Sequence, residues 1–191
     1  MQQVFKNALY HREPKVLECQ LRPLCCGHLF ILMAADNPYV VLSEIKPTLI
    51  HLAFAVGICS RTFDEATAWM KSEDIIDDVK AWGKRCRKNN FRLQGIIFEK
   101  YLRDFSAFPV RWSQARNPEP TQHPWPLLIA TSIMPLVGEE RAWNMPLPMA
   151  ASIWSASKEL SGDRNLKTDW EYQALEQMRE TASQKEKELK I

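Results

Sequence analysis

The sequence predicts an all-α protein: an irregular multi-helix bundle with a Pro-rich central crossover and a projecting C-terminal helix. Three observations predict it. Glycine is scarce, 6 residues against 12 prolines in a chain of 191, whereas a sandwich or barrel needs many tight turns. Two capping boxes, Thr62-Phe63-Asp64-Glu65 and Thr168-Asp169-Trp170-Glu171, mark helix starts, because a Thr hydroxyl and a Glu carboxylate can satisfy each other's orphan amides. Between Ser72 and Lys88, apolar residues recur at helical spacing, with acids at the N-terminal end and bases at the C-terminal end, the order that suits the helix macrodipole.

The elements follow in chain order. Lys15 to Leu21 alternates loosely and reads as a short extended piece before Pro23. Cys25 to Ala35 is an apolar run that reads as a buried helix. It is stopped by Asp36-Asn37-Pro38, since the residue before proline is pushed out of the helical region. Pro47 suits a first helical position and opens an apolar helix over Thr48 to Cys59. The Thr62 box starts a helix through about Lys71. The amphipathic segment that follows places Ile75, Ile76, Val79, Trp82 and Cys86 on its apolar side, and Asn89-Asn90 ends it. Phe91, Leu93, Ile97, Tyr101, Leu102, Phe105 and Phe108 are the apolar positions of the next helix. Trp125 to Val137 reads as a helix with Pro135 inside it, closed by Gly138. Glu139 to Trp143 makes a short amphipathic turn. Pro146 and Pro148 open a helix that runs to about Leu160. The Thr168 helix sets Trp170, Ala174, Leu175 and Met178 on one side, and beyond Thr181 little apolar remains to bury.

Prolines 109, 118, 120, 124 and 126 divide the chain into an N-terminal helical part (1–108), a linker or crossover (109–126) and a C-terminal helical part with a charged tail (127–191). Net charge is +2, which does not suggest a polyanion binder as a whole. The first 20 residues hold five charged side chains and no apolar stretch, so no secretory leader is expected. No run approaches the roughly 20 apolar residues of a spanning helix. Five cysteines without a repeated spacing predict buried free thiols and a reducing, cytoplasmic setting.

Chemistry-bearing residues are few. Cys19, Cys25, Cys26 and His28 lie close together, but their spacings are not those of paired zinc ligands, so no metal or other cofactor is expected. A Cys–His nucleophile, Cys26 or Cys59 with His51 or His28, would need an electropositive and partly exposed thiol. No nucleophile elbow, phosphate loop or dinucleotide fingerprint is present. No enzyme is expected and no catalytic residue is assigned. Lys80, Lys84, Arg85, Arg87, Lys88 and Arg92 form a basic surface, either a solvated helix face or a grip for nucleic-acid phosphates. The seven tryptophans include Trp112, Trp125, Trp143 and Trp154 in and after the Pro-rich stretch. Trp serves equally in cores and at interface hot spots, so these four are candidate partner-binding residues.

The strings His123-Pro124-Trp125-Pro126-Leu127 and Gly138-Glu139-Glu140-Arg141-Ala142-Trp143-Asn144-Met145-Pro146 resemble small morphogenesis proteins of tailed bacteriophages, the tail assembly chaperones. Arg22-Pro23-Leu24 and Cys59-Ser60-Arg61-Thr62-Phe63 are similar to N-terminal pieces of such proteins. The resemblance covers about a third of the chain in short fragments, and this chain has the longer N-terminal half. It implies a helical, non-catalytic protein that binds the tape-measure or tail-tube components during assembly. A nucleic-acid-binding regulator and a Cys- or metal-dependent enzyme are the alternatives.

Overall fold

The computed structural model describes residues 14–41, 44–88, 90–106 and 123–162, with only the backbone described for 85–88. Among these residues the protein is all-α apart from one small hairpin. Strands β1 (Lys15–Val16) and β2 (Cys19–Gln20) precede helices α1 (Cys26–Ala34), α2 (Leu49–Cys59), α3 (Phe63–Met70) and α4 (Ile75–Lys88). Helices α5 (Phe91–Phe105), α6 (Trp125–Val137), α7 (Glu139–Asn144) and α8 (Leu147–Leu160) follow. Trp112 and the Thr168 capping box lie outside the described residues, as does nearly all of the Pro-rich stretch.

The extended piece is a hairpin. Val16 pairs with Cys19 and Lys15 with Gln20, so Leu17 and Glu18 form a two-residue turn with φ of 53° and 66°. Positive φ at both central residues is the geometry that Asn-Gly usually supplies. Here tertiary contacts hold it instead. Leu17 is fully buried and its amide donates to Gln94 Oε1 of α5 at 2.8 Å.

Helix starts and stops match the sequence reading closely, with informative exceptions. At the end of α1, Asp36 takes φ 48°, Asn37 N donates to Leu32 O, and Asp36 N donates to Met33 O. That is a Schellman close, with Asp in the place where Gly is usual. Chain reversal therefore depends on this motif as well as on Pro38. Helix α2 begins at Leu49 with Thr48 as N-cap, so Pro47 stands before the cap and not at the first helical position. The Thr48 amide donates to His51 Nδ1 at 3.2 Å, the role a Glu plays in the usual box. The Thr62 box is present in full: Glu65 N donates to Thr62 Oγ1 at 3.2 Å and Thr62 N to Glu65 Oε2 at 2.7 Å. The backbone bond from Thr62 holds the Glu65 carboxyl below its ordinary pKa. Helix α4 starts at Ile75 and α5 stops at Phe105, short of Phe108.

One apolar cluster joins the two sides of the Pro-rich stretch. It runs from Val16 and Leu24 through Leu52, Val56 and Phe98 to Ile133, Leu147 and Ala150. Backbone bonds reinforce the join, since Leu147 N donates to Leu24 O at 2.7 Å and Cys25 bridges to Pro146. Asn144 Oδ1 accepts the Phe63 amide at 2.7 Å, so a residue of α7 satisfies an orphan donor at the start of α3. Phe98, absent from the sequence-predicted apolar positions, is the largest fully buried side chain among the described residues, while Leu93 is exposed.

Candidate functional site: an apolar groove between helices α2 and α4

Two glycines set how α2 and α4 approach. A Cβ on Gly57 would lie 2.2 Å from the Trp82 ring and 2.5 Å from that of Trp69. A Cβ on Gly83 would lie 2.8 Å from Leu49 Cδ2. Each helix thus offers a notch to a bulky side chain of the other. Arg61, just past α2, fastens the same corner. Its guanidinium lies over Trp69 and Trp82, 4.5 and 5.3 Å from the ring centroids, and donates to Gly57 O at 2.9 Å. It also meets Asp78 at 3.6 Å, and Asp78 accepts the Trp69 indole N–H at 2.8 Å. Asp78, read from sequence as a dipole partner at a helix start, is therefore also a tertiary contact.

Beside that corner the two helices leave an open groove of about 770 Å³. Helix α2 contributes Leu49, Ile50, His51 and Phe54 to it, α4 contributes Ile75, Ile76, Val79 and Gly83, and Ala35 and Asn37 also line it. Ile50 and Ile76 are 63% and 62% exposed. The sequence placed Ile76 with the core-facing set. Helical spacing alone cannot separate a residue that meets the core from a neighbour one step round the helix. Among the described residues the groove's charged lining is Lys80 and Lys84, with no carboxylate. Lys80 also pairs with Asp77 at 3.1 Å, an exposed contact worth little.

Of the cysteine–histidine candidates, Cys25, Cys26, Cys59 and His28 prove to be core, while Cys19 and His51 are half-buried. Burial pushes the Cys25 and Cys26 thiols up to about 12, and pushes Cys59 up as well. Thiols kept protonated in this way are poor nucleophiles and poor ligands. His28 is buried and held down to about 4, chiefly by desolvation. Its Nε2 faces Arg61 O at 2.7 Å, and its Nδ1 has no hydrogen-bond partner among the described residues. No group of three or more metal-ligating side chains converges among the described residues.

The four tryptophans separate. Trp143 is half-buried, stacked on Phe63 with centroids 4.7 Å apart and set against Phe30 at 5.6 Å. Trp154 is half-buried against the core. Trp125 is exposed at the start of α6, and Trp112 lies outside the described residues. Of the basic surface, Lys80 and Lys84 are exposed on α4, and the side chains of Arg87 and Lys88 fall outside the description. The groove itself was missed from sequence. The adjacent isoleucines Ile75 and Ile76 give no signal of it, since an apolar arc of that width is ordinary for a single packed face. No helix among the described residues is long and apolar enough to cross a membrane. Neither a family model nor a curated protein nor a solved structure matches the chain.

Proposed function

We propose that this is a non-enzymatic binding protein of phage tail morphogenesis, an assembly chaperone or structural tail component acting in the host cytoplasm on tape-measure or tube subunits. The observation that carries the binding role is the α2–α4 groove, whose rims hold exposed Ile50 and Ile76. Contiguous apolar surface of this kind marks interaction sites. The burial of Cys25, Cys26 and Cys59 supports a role without catalysis, since each thiol is kept protonated, its unreactive form, at neutral pH. The tail assignment rests on the short strings around Trp125 and Trp143. Relative to the sequence reading, the groove replaces Trp143 and Trp154, which are engaged in internal packing, while Trp125 stays exposed.

Co-expression with an aggregation-prone helical tail subunit tests this reading. The wild-type chain raises the soluble fraction of that subunit and co-purifies with it, and Ile76→Asp abolishes both. No gain in solubility and no co-purification would refute the proposal.

A further inference from the structure

The shape and chemistry of the groove specify its occupant further, given the protein-binding reading above. Its walls are the sides of two helices, whose amides and carbonyls are already paired within each helix. An extended peptide would find no edge here to pair with and would leave its backbone groups unsatisfied. A helix brings its backbone bonds with it. An acyl chain is a poorer fit, because a small-molecule site encloses most of its ligand, whereas Ile50 and Ile76 stand up from the rims, more than half exposed. From Ile76 to Lys84 the groove follows α4 for about 12 Å at ~1.5 Å per residue, which suits two to three turns of a partner. Among the described residues the lining carries two cations, Lys80 and Lys84, and no anion, with Asp77 beside Lys80 but exposed and outside the lining, and complementary charge selects partners and sets register.

We propose that the α2–α4 groove binds an amphipathic helix of a partner protein, through an apolar stripe laid between Ile50, Phe54, Ile76 and Val79 and carboxylates that meet Lys80 and Lys84.

Fluorescence anisotropy on the full-length chain tests it with labelled helical peptides of about 14 residues, long enough to span the groove. One has leucines at helical spacing flanked by Glu; the second has Lys in place of every Glu. The Glu peptide binds saturably and the Lys peptide binds at least about tenfold more weakly. Ile76→Asp, an exposed position whose circular dichroism should stay unchanged, removes binding. Lys80→Glu with Lys84→Glu reverses the preference between the two peptides. Absence of binding by either peptide, or binding indifferent to Ile76→Asp, overturns the proposal. So does dodecanoate binding in the groove with no peptide binding, or a concentration-dependent dimer that Ile76→Asp dissolves. Peptide binding without charge reversal removes the acidic-helix assignment and leaves the protein-binding reading intact. Loss of tail-subunit rescue with intact peptide binding does the opposite.

Discussion

At the scale of single residues, His28 is the most consequential buried group. Its Nε2–H donates to Arg61 O, so the neutral tautomer has Nδ1 bare. Protonation would place a charge and an unpartnered donor in a dry site, which is why its pKa falls from 6.5 to about 4. The unfolded chain takes up that proton near pH 6.5 and the folded chain does not until about pH 4. The stability this group contributes is therefore complete above its unfolded pKa and is lost as pH falls through that window. The loss by pH 4 is on the order of 3 kcal/mol. Urea midpoints between pH 7.5 and 4.5 should fall for the wild-type chain and show a clearly shallower slope in His28→Gln. Equal slopes would assign the acid sensitivity elsewhere. The sequence read the Cys25–Ala35 run as a buried helix, and His28 is buried within it; what was not legible is that its Nε2 meets Arg61 O, thirty-three residues away.

At the scale of elements, the α2–α4 pair depends on Gly57 as a notch for Trp82 and Trp69. A methyl group there meets two rigid indoles that are themselves fixed by Arg61, so neither can yield cheaply. Gly57→Ala should cost about 1–3 kcal/mol, the usual range for overpacking. Chemical denaturation measures it, and a change within 0.5 kcal/mol of zero, the range of a neutral surface substitution, would show that the notch is not tight. Helix periods, caps and stops were largely readable, since they are local: Thr62 and Glu65 cap one another across three residues. The β-hairpin was only half readable. Its turn uses Leu17 and Glu18 at positive φ, held by burial and by Gln94 seventy-seven residues away.

At the scale of the whole molecule, both sides of the Pro-rich stretch share one core, and α7 caps α3 through Asn144. Such a core should unfold as a unit. Ile133→Ala, in α6, should cost about 2–5 kcal/mol. Hydrogen exchange should show amide protection in α2 falling in parallel with that in α6. Loss confined to α6–α8 would mean that the two sides open independently.

By itself the sequence determined the all-α class, the helix boundaries to within a few residues, and the apolar character of the Cys25–Ala35 and Leu49–Cys59 runs. These are set by spacing, caps and prolines, all of which act over one or two turns. Tertiary structure alone decided which apolar residues are left over. Ile75 packs against the core cluster as well as lining the groove, whereas Ile76 lines the groove and is 62% exposed, because Gly57 and Gly83 fix how closely α2 and α4 approach and so which arc of α4 is covered. That difference of one residue step, which no local pattern encodes, separates a residue shared between core and groove from one left to the groove alone.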